Sequence, residues 1–354
     1  MTPDPQKAKL EALLLTKCAG HSGLPIPLFD RAAAEKLLFR IDGIRLFAHS
    51  FSFYQGLAHG TLQIDEILRF AADQGLHGAS INIDIGGTKA LSRMSNTALG
   101  RLRSLADELE LAISLEMSST EFDHFQRAQQ IAAELGARWI RMRSAKVGRA
   151  GDVVRDSIAD LKRIAVAAER RDHCVGFEQH EALKSCEIVE IVTAVDSGNV
   201  RILFDFGNMI NVGEEPLEAL QIQAPLVRLA HLKGVRKVPG AGGCGQLGVP
   251  EGEDDLPQAK LMFDLLMLGD YAPQVPIFIL EKVVGYASPP MRQQDDGPDT
   301  EIRHRAPSTL PLSADGVEND VRRERQHSVQ QVQYVKSMLT TLREPADCVL
   351  AADG

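Results

Sequence analysis

The chain has few aromatic residues: one Trp and four Tyr among 354 residues, with aromatics at 5% overall. That scarcity argues against the stacking platforms on which proteins hold single-stranded nucleic acid. Positive charge is not in excess either. Lys plus Arg total 39 against 48 Asp plus Glu, for a formal charge of −9, so a nucleic-acid backbone is a poor candidate partner. No run approaches the roughly 18 apolar residues of a membrane helix. The opening stretch from Met1 to Lys7 lacks the apolar segment of a signal peptide. The five cysteines, Cys18, Cys174, Cys186, Cys244 and Cys348, are odd in number and form no CxxC pair. Reduced thiols in a cytoplasmic protein are the expectation.

What is present is ordinary globular chemistry, 44% hydrophobic and 25% charged, with material for a large core. Short β-rich apolar runs alternate with stretches of helical period. The runs fall at 43–50, 78–85, 111–116, 139–143, 174–178, 200–205, 227–232 and 275–281. Helical spacing appears in Leu99, Leu102, Ala106 and Leu109, and again in Val154, Ile158, Leu161, Ala165 and Ala168. Residues 118–121, Ser-Ser-Thr-Glu, read as a capping box opening a helix that ends near Gly136. Eight alternating units imply parallel strands with right-handed crossovers, closed into a (β/α)8 TIM barrel of the α/β class.

Three stretches lie outside the repeat. Residues 1–40 form an N-terminal helical extension placed to cover the bottom of the barrel, leaving 41–354 as a single barrel domain. Residues 239–257 form a Gly-rich, acidic loop after strand seven, and 288–316 a second long loop after strand eight. Both belong at the C-terminal face, where such loops shape active sites.

The last four strands end on Glu178, Asp205, His231 and Glu281. Strand side chains alternate, so the residues two before each, Gly176, Leu203, Leu229 and Ile279, share its face. These are small or apolar residues suited to a barrel interior, which points all four ligands inward at the catalytic end. Three carboxylates and an imidazole packed there repel one another unless a cation joins them. One divalent metal ion is expected. Hard oxygen donors with one histidine favour Mn²⁺, with Mg²⁺ or Co²⁺ close, and admit Zn²⁺.

The motifs Phe177-Glu178-Gln179-His180, Phe204-Asp205-Phe206-Gly207-Asn208, Leu229-Ala230-His231-Leu232-Lys233 and Leu280-Glu281 resemble the xylose-isomerase-like sugar-phosphate isomerase/epimerase superfamily, over about residues 43–345. The resemblance implies that Glu178, Asp205, His231 and Glu281 bind the metal, with Glu178 and Glu281 also moving protons. It further implies a small polyhydroxylated keto substrate carried through an enediolate. In dehydratase-like relatives a histidine at the place of His180 contacts substrate, which makes His180 a third catalytic candidate. Two positions depart from the family: Gly234 replaces a frequent acidic residue, and Asn208 stands where the epimerases carry a histidine. The function read from the chain is therefore a metal-dependent isomerase or epimerase. A lyase, dehydratase or decarboxylase, acting on a keto-sugar acid is the alternative.

Substrate contacts are expected from His49, Glu116, Asn208, Lys233 and Arg236, and from Arg141 with Arg143. The two arginines share one face of strand four and suit an anionic substrate; their alternative role is to balance the ligand carboxylates. Glycines 240, 242 and 245 match GxGxxG literally, but they do not join a strand to a helix in a first βαβ unit, so no dinucleotide site is inferred. An abasic-site endonuclease is excluded by the few histidines near the mouth (His49, His180, His231) and the acidic net charge. Barrels of this kind often pair near the mouth, which admits a homo-oligomer while the sequence leaves the oligomeric state open.

Overall fold

Eight parallel strands close on themselves in the order β1-β8-β7-β6-β5-β4-β3-β2. They are β1 (Arg45–His49), β2 (Gly78–Asn82), β3 (Ala112–Glu116), β4 (Trp139–Arg143), β5 (Cys174–Glu178), β6 (Val200–Asp205), β7 (Val227–Leu232) and β8 (Ile277–Leu280). The structure, a computed structural model, describes residues 5–18, 24–25, 29–303 and 315–352. Each sequence run holds one of these strands, usually trimmed at its ends. The expected part of 288–316 that covers 304–314 lies outside the described residues.

Two apolar layers explain the closure. The large cluster between strands and outer helices is built from residues such as Ile81, Leu115, Val175, Phe177 and Phe204. A second, separate cluster of Phe47, Leu203, Leu229, Ile277 and Ile279 fills the barrel interior. Leu203, Leu229 and Ile279 are thus the inward layer that alternation predicts. Gly176 completes it, because a Cβ there would sit 2.9 Å from Leu229 Cδ1. A register shift between Ile202 and Leu203 brings Asp205 directly beside His231 on the neighbouring strand.

Several local expectations change. The helix after β3 runs Phe122–Leu135 and stops at Gly136 in the left-handed conformation. The capping box does not form. The helix starts after Glu121, and Thr120 Oγ1 donates to Asp160 instead, at 2.7 Å. The N-terminal helices are Pro5–Leu14 and Arg31–Asp42. They pack on helices Gln258–Met267 and Val317–Ala352, and Lys17 reaches Asp254 in the segment after β7.

The Gly-rich stretch after β7 is a hairpin, not an open loop. Val235–Gly240 pairs antiparallel with Gly243–Gly248, and the GxGxxG match falls on its turn, where Gly242 has φ +89°. The chain after β8 forms a strap across the mouth. Ala287–Ser288 joins the hairpin, Met291 and Arg292 donate to Asn211 O after β6, and Arg292 pairs bidentately with Glu187 after β5. Glu301–Ile302 then pairs with Gly148–Arg149 after β4. The strap visits the loops of four successive strands in order.

Candidate active site

A cavity of about 640 Å³ opens at the C-terminal ends of the strands. The candidate ligands at the strand ends gather beneath it, and of them Glu281 reaches its lining. Glu178 closes β5 and is 1% exposed, Asp205 closes β6 at 1%, and His231 lies in β7 at 0%. Glu281 follows β8, its backbone N–H donating to Leu232 O at 2.9 Å. From His231 Nδ1 the carboxylate oxygens of Glu178, Asp205 and Glu281 lie 3.4, 4.0 and 3.7 Å away.

The surrounding hydrogen bonds hold these groups in place. Asp205 Oδ1 accepts from the backbone N–H groups of Gly207 and Asn208 at 2.8 and 2.7 Å. Asn208 Nδ2 donates to Glu178 Oε1 at 3.0 Å. Lys233 Nζ donates to Asn208 Oδ1 at 2.7 Å and lies 3.0 Å from Asp205 Oδ2 and 3.6 Å from Glu281 Oε2. Arg141 Nη2 contacts Glu178 Oε2 closely. Burial pushes the Glu281 carboxyl up, but Lys233 foremost, with His49 and His231, outweighs it and holds the group down at about 2.

The donor set fits one divalent cation on three grounds. One buried atom of each of four side chains, Glu178 Oε2, Asp205 Oδ2, His231 Nδ1 and Glu281 Oε2, is left to ion pairing alone, with Arg141, Lys233, the neighbouring carboxylates and Lys233 in turn. Donors bound to one ion at about 2.0–2.4 Å lie roughly 3–4 Å apart, the spacing found around His231 Nδ1. Charge also leaves room. Glu116, Glu178, Asp205 and Glu281 bring four negative charges, Arg141 and Lys233 two positive ones, so two negative charges stay unbalanced in a buried site.

Of the other sequence candidates, His180, Glu116, Arg141, Arg143, Asn208 and Lys233 line the cavity. His180 and Arg143 are half-buried. The amide of Asn208 is already engaged at both ends, by Glu178, Gln179 O, Lys233 and Gln246. His49 is buried beneath the floor, 2.7 Å from Glu116, and does not line the cavity. Arg236 is not brought to the site. It is exposed on the hairpin, where Nη2 donates to Glu253 O at 2.8 Å, because the hairpin turns it to the outside.

Sequence reasoning missed Lys146, Glu181, Tyr286 and Arg303, all cavity-lining. Glu181 had a readable position next to His180. It is buried with φ +60°, a costly conformation for a non-glycine residue, and accepts from Tyr286 Oη at 2.5 Å. Arg303 arrives only because the strap is pinned to the loop after β4.

Comparison with known proteins bears on the fold and the family. The chain is 29% identical to the Escherichia coli (strain K12) protein YihM, described as uncharacterized, over 318 residues, or 90% of this chain and 98% of that one. It is 28% identical over 146 residues to the 3-oxo-isoapionate decarboxylase of Pectobacterium atrosepticum, covering 41% of this chain and 52% of that enzyme. Among solved structures, the D-psicose 3-epimerase of Clostridium cellulolyticum H10, solved with D-tagatose, superposes with a TM-score of 0.55 at 16% identity, covering 82% of this chain and 99% of the epimerase. The family described as "Xylose isomerase-like TIM barrel" matches residues 40–272, and the chain belongs to that family.

Proposed function

We propose that this chain is a divalent-metal-dependent lyase, with Mn²⁺ the preferred ion, that breaks a bond beside the carbonyl of a small keto-sugar acid through an enediolate. The observation that carries it is the convergence of four buried donor atoms, Glu178 Oε2, Asp205 Oδ2, His231 Nδ1 and Glu281 Oε2, beneath the cavity. Glu178, Asp205, His231 and Glu281 would hold the ion, which when bound supplies a Lewis acid that polarises the substrate carbonyl and stabilises the enediolate. In this reading residues 41–354 form one catalytic barrel and 1–40 its helical extension.

The two glutamates are not equivalent, and this favours a lyase over an epimerase. Two-base epimerisation needs a carboxylate free on each face of the substrate carbon. Glu178 is engaged by Arg141 and Asn208 and does not line the cavity, whereas Glu281 does. Ionised Glu281 is therefore the group that takes the proton of the substrate hydroxyl beside the carbonyl. For decarboxylation, the carbon–carbon bond to the carboxylate breaks and its electron pair enters the carbonyl as the enediolate. CO₂ leaves, the imidazolium of His180 delivers a proton to the carbon, Glu281 returns its proton to the oxygen, and His180 regains one proton from solvent, the one proton taken up overall. Arg143, Lys146 and Arg303 would receive the anionic end of the substrate. The decarboxylase relative acts on an acidic keto compound by its name, which supports the same substrate class.

The test is turnover of 3-keto sugar acids by the Mn²⁺-loaded protein in D₂O. CO₂ release with one deuteron entering the product carbon is expected, and His180→Asn should lower kcat by roughly 10²-fold or more. An epimer formed with its carboxylate retained would replace the lyase reading with the epimerase one.

A further inference from the structure

Behind the cavity floor lies a chain of contacts that the proposed reaction does not use. The Phe51 backbone N–H donates to His49 Nδ1 at 3.0 Å. A ring nitrogen accepting from a backbone N–H presents its lone pair, so the proton of the neutral ring sits on Nε2. That Nε2 lies 2.7 Å from Glu116 Oε2. On the other side of the same carboxylate, His231 Nε2 lies 3.2 Å from Oε1, and Ser80 Oγ donates to Oε1 at 2.7 Å.

An ionised carboxylate only accepts hydrogen bonds. Glu116 is 1% exposed. Ser80 Oγ already donates to Oε1, the oxygen that faces His231 Nε2, so that oxygen acts as an acceptor there. A carboxylate beside His231 Nε2 keeps the ring proton there. The Nδ1 lone pair is then left facing Glu178, Asp205 and Glu281.

We infer that Glu116 is a positioning residue for His231, fixing the ring's tautomer and angle so that Nδ1 is presented to the metal, with His49 and Ser80 holding Glu116 itself. This rests on the metal-dependent reading above and gives His49 and Glu116 a role that acts through His231 rather than on substrate. Such outer carboxylates orient ligating histidines and raise their basicity. A second ion on His49, Glu116 and His231, whose ligand atoms lie within 4.8 Å of one another, is disfavoured by the same geometry. With Nδ1 occupied by Phe51 N–H, His49 offers Nε2 as a donor and not as a ligand.

The experiment is calorimetric titration of the full chain with Co²⁺, together with the absorption bands of bound Co²⁺ and the histidine ¹⁵N spectrum of metal-free protein. The native chain should bind one equivalent, with both His49 and His231 protonated on Nε2. A folded Glu116→Gln variant should still bind one equivalent, roughly 10- to 100-fold more weakly and with shifted bands. Native affinity and native bands in that variant would overturn the inference, as would a second equivalent lost in it. Should Glu116→Gln not fold, Ser80→Ala decides. A several-fold weaker affinity supports the role, and native affinity with His231 protonated on Nδ1 overturns it. A native chain that binds no Co²⁺ sinks the metal reading itself, whereas equal binding by native and variant sinks only the role of Glu116.

Discussion

Arg141 and Arg143 sit two residues apart on one face of β4 and do different things. Register sets them apart: Arg143 pairs with Glu178 and Arg141, one layer deeper, with Gly176. Arg141 is buried and turns its guanidinium to Glu178, with Glu116 at 3.9 Å, so it balances the acidic floor. Arg143 stays half-buried on the cavity wall, near Lys146 after β4 and Arg303 at the strap's end. Lys146 also pairs with Asp160 at 2.8 Å. A charge-assisted contact to a substrate carboxylate is worth on the order of 1.5–3 kcal/mol. Arg143→Gln should therefore raise KM for an acidic keto-sugar roughly 10- to 150-fold while changing little for its neutral analogue. Equal activity of the native enzyme on both analogues would return Arg143 to charge balancing alone.

At the scale of elements, the strap from β8 to the loop after β4 organises the mouth. Arg292 is its anchor, fully buried and bidentate to Glu187, which also accepts from Lys184 N at 2.8 Å. Removing one partner of a buried pair leaves the other charge uncompensated, at about 3–5 kcal/mol. Arg292→Ala should lower the unfolding free energy by that order in urea titration, and limited proteolysis should then cut within 288–303 faster. Unchanged cleavage there would mean that the strap's backbone pairings suffice. The strap also shows where sequence reading stops. The eight strands were legible because alternation and β-branched runs are local signals, and the four floor residues because each ends such a run. The hairpin of 235–248 was not, since its glycines and Pro239 read as loop and its pairing with Ala287–Ser288 is remote in sequence. Arg236 was misplaced and Arg303 missed for the same reason. Proximity to the metal histidine along the chain placed the first wrongly, and only long-range pairing brings the second to the cavity.

At the scale of the whole molecule, the long helix Val317–Ala352 ties the C-terminus to the mouth through one carboxylate. Glu324 accepts from the backbone N–H groups of Gln55 and Gly56 at 2.6 and 3.2 Å, holding the short helix Tyr54–Ala58 beside the cavity. Burial, with Asp320 adding to it, pushes the Glu324 carboxyl up to about 7 against the opposing backbone donors. Asp264 shifts the same way, to about 6, because burial outweighs its partner Lys260. A raised carboxyl binds its proton more tightly in the folded state than in the unfolded chain. Folding is therefore favoured most below the unfolded value near 4.5, and that contribution is lost as pH climbs through the folded value. For Glu324 the window runs from about pH 4.5 to 7, with an effect on the order of 1–3 kcal/mol. Glu324→Gln cannot ionise, so its unfolding free energy should fall less across that window than the native protein's. Urea midpoints measured in half-unit steps from pH 4.5 to 7.5 read the difference directly. Parallel curves for the two proteins would show that Glu324 titrates near its ordinary value, and that the tie to Gln55 and Gly56 is made by a charged group throughout.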